Sequence, residues 1–267
     1  EGLCSHSAAH RTRESEEPAV EPEGPEPPRE EAEQLSLLED ATNAVLAPPR
    51  LATWDELLAH HDAEYLEALK RAGQTGRPEP DFGLGHGDNP VFPDMLAVAA
   101  LAAGGSILAA EKVMDGAWRH AFAIGGGLHH AQRSYASGFC LLNDPALAIQ
   151  AALDRGARRV VYVDIDVHHG DGVQALFYGD PRVMTISLHQ SGRTLYPGTG
   201  FVDEMGAGAG RGTSVNIAFP PYTGDALFLE TIERVVVPLT TAFAPDLFVT
   251  QNGCDTHIDD PLATLRV

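Results

Sequence analysis

The sequence is poor in cysteine. Its three cysteines, Cys4, Cys140 and Cys254, form no CxxC pair and no even-numbered set, which argues against a disulfide scaffold and favours a reducing compartment. No charged leader followed by an apolar run opens the sequence, so we expect a cytoplasmic protein.

Long apolar runs are also missing. The longest, residues 95–110, is interrupted by Gly104, Gly105 and Ser106. Because spanning a bilayer takes about 20 apolar residues, this segment predicts a buried helix, and we expect no membrane partner.

Basic residues are scarce, with 18 Lys and Arg against 38 Asp and Glu and a formal net charge of −20. This balance disfavours direct nucleic-acid binding. The Pro- and Glu-rich residues 1–34 predict a disordered or foreign tail, which leaves residues 35–267 as the folded domain. The sequence begins with Glu rather than Met, so we expect a fragment of a longer chain.

Segments typical of strands and helices alternate along this domain. Thr53 and Glu56 form a capping box that predicts a helix ending at Gly73, with His60 and His61 as solvated side chains. Strands are predicted at residues 121–124, 159–167, 182–188, 213–219 and 246–251. Further helices are predicted at residues 35–46, 95–110, 145–156, 171–179 and 225–243. This order predicts an α/β fold in which helices cover both faces of a parallel sheet.

Polar clusters follow four of these strands, at residues 125–130, 164–172, 187–189 and 252–255. Ligands bind beyond the carboxyl ends of parallel strands. We therefore expect the four clusters to form one site.

The segment VVYVDIDVHHGDG, residues 160–172, carries Asp164, Asp166 and His168 at two-residue spacing. Extended backbone would point all three to one side, where they need a positive charge among them. Zinc accepts imidazole and carboxylate ligands, and a catalytic zinc keeps three protein ligands and one open position. Asp166, His168 and Asp255 are the candidate ligands, which leaves Asp164 to orient a neighbour or to help bind a monovalent cation.

The pair His129–His130 indicates acid–base chemistry, because histidine exchanges protons near neutral pH. Each ring needs a partner on its second nitrogen, and Asp164 and Asp171 are available. Two such pairs beside a metal would give one base to deprotonate water and one cation to stabilise an oxyanion.

Four groups of segments resemble the signatures of the histone deacetylase superfamily, which has the arginase–deacetylase fold. They are GGGLHHAQRSYASGFCLLND, YVDIDVHHGDG, SLHQ with YPGTG, and GCD. The chain is most similar to the bacterial acetoin utilization proteins over residues 35–267. The resemblance implies a zinc-dependent enzyme that removes acetyl groups from lysine side chains of proteins or peptides.

Site roles follow from the resemblance residue by residue. The implied zinc ligands are Asp166, His168 and Asp255. His130, paired with Asp171, would be the general base and then the general acid. His129, paired with Asp164, would be its electrostatic partner.

The resemblance also implies residues around the reacting centre. An acetyl-lysine tunnel would be lined by Gly138, Phe139 and Tyr196, with Asp88 at its rim. A structural potassium ion would lie at Asp164, Ser187 and Leu188. Cys140 and Cys254 would pack as small apolar residues.

Two departures from the family pattern stand out. Residues 1–34 do not resemble the strand and Gly-His-Pro segment with which family members begin. The family's Gly-rich tyrosine loop lies well after GCD, and residues 256–267 do not contain it. We therefore expect this sequence alone to lack the last strands and one oxyanion donor, a loss of about 10²- to 10³-fold in turnover.

Two alternative functions stay open. A deacetylase of small acetylated amines such as polyamines would need an acidic gate, for which Asp203 and Glu204 are candidates. The second alternative is a protein that binds acetyl-lysine without turnover. The arginase branch, with two manganese ions, is disfavoured because the sequence offers only one His/Asp set.

Overall fold

The computed structural model of the protein describes residues 2–4, 9–10 and 44–267. The strands in these residues are β1 (Gly2–Cys4), β2 (Ala9–His10), β3 (Ala44–Val45), β4 (Ala121–Phe122), β5 (Val160–Asp164), β6 (Val183–Gln190), β7 (Ser214–Phe219) and β8 (Leu247–Gln251). Six of them form a parallel sheet in the order β4-β1-β8-β5-β6-β7, and β2 pairs with β3 antiparallel.

The helices in the same residues are α1 (Trp54–Leu58), α2 (Ala63–Thr75), α3 (Met95–Met114), α4 (Asp144–Asp154), α5 (Asp171–Phe177), α6 (Asp225–Thr231) and α7 (Val237–Phe243). A π-helical turn, Ile232–Val236, joins α6 to α7, so the helix predicted at 225–243 is continuous.

Helices cover both faces of the sheet, as the sequence predicts. All five residues of β5 are buried. Val160 and Tyr162 pack into a core with α3, α4 and α5, whereas Val161 and Val163 pack on the opposite side with Phe228 of α6. A strand that is covered on both faces buries every side chain, which explains its continuous apolar run.

The predicted helix over residues 53–73 is divided in two. The capping box at Thr53 and Glu56 is present, but α1 ends at Leu58, and α2 begins at Ala63. Gly73 does not end α2, because it is a point of close contact: a Cβ there would lie 3.1 Å from the Met95 nitrogen. The helix instead ends before Gly76, whose φ of 67° suits a left-handed cap.

The expectation that His60 and His61 are solvated is wrong. Both are buried, with 5% and 1% of their surface exposed, in the turn between α1 and α2. His61 bridges two backbone groups, whereas both ring nitrogens of His60 lack a hydrogen-bond partner, and the ring lies edge-on to Phe177. Burial lowers the pKa of each histidine to about 4.

Part of the predicted tail has a place in the sheet. Gly2–Cys4 lies between β4 and β8, and Ala9–His10 pairs with β3. The helix predicted at 35–46 does not extend to residue 46, because Ala44–Val45 is a strand. The remainder of both predictions lies outside the described residues, and the domain boundary at residue 35 stays a prediction.

Helix α3 is long and apolar enough to cross a membrane by length and composition. Within the described part of the chain it is nevertheless a core helix, as predicted. Ile107 packs in one core cluster with Leu66 of α2, and Ala109 and Ala110 pack in another with Val160 of β5. The chain before α1 crosses this helix so closely that a Cβ on Gly104 would lie 1.8 Å from the Arg50 carbonyl oxygen.

We expect Gly104→Ala to lower the free energy of unfolding by about 1–3 kcal/mol, because the added methyl group must displace backbone. Gly105→Ala is the matched control. Its Cβ would meet Pro49 at an ordinary 3.5 Å, so this variant should be more stable by about 0.5–1 kcal/mol through helix propensity. Urea unfolding of both variants provides the test, and equal effects would contradict the close approach.

We expect His60→Leu to reduce the acid sensitivity of the fold. The folded-state pKa of His60 is about 4, below the ordinary 6.5, so the unfolded chain binds the proton first as the pH falls. The contribution of neutral His60 to the free energy of unfolding is therefore complete above pH 6.5 and is lost as the pH falls from 6.5 to 4. At pH 5 the loss is about 2 kcal/mol. Urea unfolding at pH 7 and pH 5 should show a smaller loss in His60→Leu than in the parent protein. An identical loss would refute this account.

Candidate metal and acid–base site

The candidate site lies at the carboxyl edge of the sheet, around the end of β5. Asp164, the last residue of β5, is the register partner of Ser187 in β6 and of Gln251 in β8. The loops that follow β4, β5 and β8 meet above this point. Three of the four predicted clusters therefore contribute to one site, and the fourth, at Ser187, adjoins it.

Asp166, His168 and Asp255 converge, and their ligand atoms all lie within 4.8 Å of one another. The Nδ1 atom of His168 lies 3.0 Å from Asp166 Oδ1 and 2.9 Å from Asp255 Oδ2. One correction concerns the backbone: β5 ends at Asp164, so Asp166 and His168 lie in a bend and not on extended strand.

Short-range hydrogen bonds shape this bend. Asp166 N–H donates to Asp164 Oδ1 (3.1 Å), and His168 N–H donates to Asp166 Oδ1 (2.8 Å). Val167 N–H donates to Asp255 Oδ1 (2.8 Å), which joins the loop after β8 to the loop after β5. Side-chain carboxylates that accept from the next backbone amides are a common device for turning a chain.

The three side chains form an unstable set of charges without a cation. Burial raises the pKa of Asp255, and the negative charge of Asp166 raises it further. Burial acts on Asp166 in the same direction, but the positive charges of His129 and His168 outweigh it, so its pKa is lowered. Burial lowers the pKa of His168, yet its two carboxylate partners raise it to about 9.

The donor set suits a divalent metal. One imidazole nitrogen and two carboxylates that face a common point match the three protein ligands of a catalytic zinc site. Here a protonated His168 supplies the positive charge between the carboxylates. A bound metal ion would take over that role and release the proton.

His129 is a fully enclosed partner of Asp164. Its Nδ1 lies 2.7 Å from Asp164 Oδ2, which also accepts from the Tyr162 hydroxyl at 2.7 Å. Burial lowers the pKa of His129, but the charges of Asp164 and Asp166 outweigh it and raise the pKa to about 10. His129 is therefore a cation at neutral pH.

His130 is paired in the same way with Asp171, at 2.6 Å from Nδ1 to Oδ1. Its pKa is lowered to about 4, first by burial and then by the positive charge of His129. His130 is therefore neutral at pH 7, so the two neighbouring histidines differ in charge.

The protons of the two rings can be assigned from these contacts. Each Nδ1 faces a carboxylate and must carry a proton, and the two Nε2 atoms face each other at 3.1 Å. The raised pKa of His129 places the additional proton on its Nε2, and the lowered pKa of His130 leaves the facing Nε2 unprotonated. An unprotonated Nε2 beside the metal ligands has the form that a general base needs.

Tyr196 and Gly138, two of the predicted tunnel residues, border His130. The Tyr196 ring centre lies 5.1 Å from that of His130, and its hydroxyl is hydrogen-bonded to Ser137. A Cβ on Gly138 would lie 2.6 Å from the His130 ring, so only glycine fits there. Phe139, with φ of 66°, is 66% exposed.

The remaining predicted residues are placed less decisively. Asp88 is exposed, and its charge adds to the burial that raises the pKa of Tyr196. The Ser187 hydroxyl is hydrogen-bonded to His189 Nδ1 at 2.9 Å, and Leu188 is fully buried. Potassium binding by these residues and Asp164 stays a prediction.

The expectation that both cysteines pack as apolar residues holds for Cys140 and not for Cys254. Cys140 is buried, and burial raises its pKa far above the ordinary value. Cys254 is exposed in the loop that also carries Asp255.

Several polar residues around the site, all buried except the half-buried Gln132, were missed by sequence reasoning. They are Gln132, Asn143, Asp144, Tyr162 and Gln251. Tyr162 could have been found, since it lies two residues before Asp164 on the same strand face. Gln251 donates to Asp166 Oδ2 at 2.9 Å, and its place before the NGCD segment was the available signal.

A metal-ligand set at the carboxyl edge of a parallel sheet, with histidine–aspartate pairs beside it, is typical of a metal-dependent hydrolase. Comparison with known families is more specific. The histone deacetylase domain matches residues 25–267. The chain therefore belongs to the histone deacetylase family.

Relatives and solved structures agree with this assignment. The acetoin utilization protein AcuC of Bacillus subtilis is 45% identical over 223 residues, which is 82% of this chain and 58% of that protein. AcuC of Staphylococcus aureus strain N315 is 41% identical over 224 residues, 83% of this chain and 58% of the relative. The chain thus spans less than two thirds of the length of these relatives.

Two solved structures show the arginase–deacetylase fold. An HDAC homolog from Aquifex aeolicus is 33% identical and superposes with a TM-score of 0.79, over 87% of this chain and 64% of that one. The HDA15 HD domain is 32% identical, with a TM-score of 0.79, over 87% and 68%. The predicted fold and family are confirmed.

Proposed function

We propose that this protein is a zinc-dependent deacetylase that hydrolyses the acetyl amide of acetyl-lysine side chains in proteins or peptides. The observation that carries the proposal is the convergence of one metal-ligand set with two histidine–aspartate pairs. Family membership supports deacetylation, and the aromatic border of the site supports a lysine side chain as substrate.

The side chains of Asp166, His168 and Asp255 would hold the zinc ion. When bound, zinc supplies Lewis-acid activation of the amide carbonyl and of water. Gln251 holds Asp166 through its second carboxylate oxygen, and Val167 N–H holds Asp255. These contacts leave one oxygen of each carboxylate directed at the ligand position.

His130 would move the protons of the reaction. Burial and the charge of His129 keep it neutral, so its Nε2 can accept a proton from the attacking water. Asp171 stabilises the resulting imidazolium. The same nitrogen then delivers the proton to the lysine amine as it leaves, and water and amide are converted to acetate and amine.

His129 would act by charge rather than by proton transfer. The buried Asp164 keeps it protonated, so a positive charge stands 3.1 Å from His130 Nε2. Negative charge that develops on the amide oxygen is stabilised by such a preorganised cation in a site from which water is excluded.

The apolar surfaces beside His130 suit the methylene chain of lysine. Tyr196 and Phe139 are exposed aromatics, and Gly138 packs closely against the rings of His130 and Tyr196. Asp88, exposed on the loop before α3, would accept hydrogen bonds from the substrate backbone. A structural potassium ion at Asp164, Ser187 and Leu188 is part of the same proposal.

One observation weighs against small acetylated amines as the preferred substrate. Glu204, a candidate for the acidic gate, accepts from the backbone amides of Gly200 and Phe201 at 3.0 Å and from Gln174 at 2.7 Å. Its carboxylate therefore anchors the loop after Tyr196. Asp203 alone stays exposed.

The direct test is acetate release by the full-length protein with zinc, from an acetyl-lysine peptide and from an acetylated polyamine. We expect release from the peptide. Release from the polyamine alone would favour the small-amine alternative. Peptide binding without release would favour an acetyl-lysine-binding protein.

We expect Asp166→Ala and His168→Ala each to abolish stoichiometric zinc binding, because two ligands do not replace three. Asp203→Ala, which removes an exposed carboxylate outside the set, is the control. Elemental analysis after dialysis measures the bound metal. A full complement of zinc in either ligand variant would disprove the ligand assignment.

We expect His130→Ala to lower kcat more than His129→Ala does, by up to about 10⁴-fold against about 10²-fold. His130 is assigned both proton transfers, so the pH profile should change shape in His130→Ala. In His129→Ala the profile should keep its shape but shift to higher pH, because the charge that lowers the pKa of His130 is gone. Equal losses of kcat with unchanged pH profiles would show that the roles assigned to His130 and His129 are wrong.

A further inference from the structure

We infer that Gln132 is a positioning residue for the acid–base pair, and this inference rests on the proposed function. Its side-chain amide holds the carboxylate of Asp171 in the orientation that His130 requires. Gln132 lies within the segment GGGLHHAQRSYASGFCLLND, but no role was predicted for it from the sequence.

The carboxylate of Asp171 has a partner on each oxygen. Oδ1 faces His130 Nδ1 at 2.6 Å, and Oδ2 accepts from Gln132 Nε2 at 2.8 Å. The same amide nitrogen lies 3.2 Å from the His130 carbonyl oxygen. Gln132 therefore contacts both members of the pair.

The second contact matters because Asp171 is the first residue of α5 and its side chain is 18% exposed. A carboxylate with one free oxygen at the edge of solvent can turn and exchange its partner for water. The hydrogen bond to His130 fixes the tautomer that leaves Nε2 unprotonated. Holding Oδ2 therefore keeps Nε2 available as a base.

Gln132 is itself braced through its backbone. Its N–H donates to the Tyr135 carbonyl at 3.0 Å, and its carbonyl accepts from His61 Nδ1 at 3.0 Å. His61 Nε2 in turn accepts from the N–H of Asn143 at 3.0 Å. The buried His61 thus ties Gln132 to the start of α4.

Asn143 completes the brace. Its side-chain nitrogen donates to the carbonyls of His129 (3.1 Å) and Ala131 (2.9 Å). The backbone on either side of His130 is therefore fixed to α4, and the side chains of His130 and Gln132 both reach across to Asp171 of α5.

An amide suits this position because it donates a hydrogen bond without adding charge. A carboxylate at residue 132 would repel Asp171, and an apolar side chain would leave Oδ2 to water. Both substitutions should disturb the His130–Asp171 pair while the metal ligands, which Gln132 does not contact, stay in place.

The test uses the full-length protein with zinc and an acetyl-lysine peptide. We expect Gln132→Met, which has a similar length and no donor, to lower kcat about 10- to 100-fold with KM changed less than about 2-fold. Gln132→Glu should lower kcat at least as much. Zinc content should equal that of the parent protein in both.

Gln150→Met is the matched control. Gln150 also donates its side-chain amide to an aspartate, Asp154 Oδ1 at 2.7 Å, but on the exposed surface of α4. This variant should keep the parent kcat. A parental kcat in Gln132→Met, or an equal loss in Gln150→Met, would overturn the inference.

A second measurement does not depend on turnover. In the parent protein, NMR of ¹⁵N-histidine should show a slowly exchanging Nδ1 proton on His130, identified by its absence in His130→Ala. Gln132→Met should broaden or shift it, and an unchanged signal would overturn the inference. If the parent protein releases no acetate but this signal responds, the proposed function fails and the positioning role stands.

Discussion

The site depends on the concentration of negative charge at the carboxyl end of β5. Asp164 and Asp166 are buried, and Asp255 joins them from the loop after β8. Buried carboxylates this close together persist only when cations or hydrogen-bond donors meet their oxygens. His129 and His168 supply positive charge, and three backbone amides, the Tyr162 hydroxyl and the Gln251 amide supply the other donors. The paths of the surrounding loops follow from this requirement.

The backbone must approach these carboxylates closely, and two glycines show how closely. A Cβ on Gly253 would lie 2.2 Å from Asp166 Oδ2, and one on Gly170 would lie 2.3 Å from Asp164 Oδ2. Any side chain at either position would displace a carboxylate that the site uses. The glycines beside the ligands are therefore part of the site, although they contribute no ligand atom.

The sheet and the convergence of Asp166, His168 and Asp255 could be predicted, because β5 carries a continuous apolar run and its end carries paired carboxylates and imidazoles. The prediction of extended backbone was correct only for Asp164, because the carboxylates of Asp164 and Asp166 accept hydrogen bonds from the next backbone amides and turn the chain directly after β5. His61 could not be predicted. Its partner Gln132 lies 71 residues away, so local helical periodicity gave no sign that the ring is buried.

Two adjacent histidines with similar carboxylate partners differ in charge because their surroundings differ. Asp164 is fully buried, and a second carboxylate, Asp166, lies 3.9 Å from His129. His130 has one carboxylate partner at the edge of solvent and a cation as its neighbour. The first ring is therefore charged and the second neutral, so a fixed cation and a base arise from one dipeptide. Burial and the number of nearby carboxylates, rather than residue type, assign the two roles.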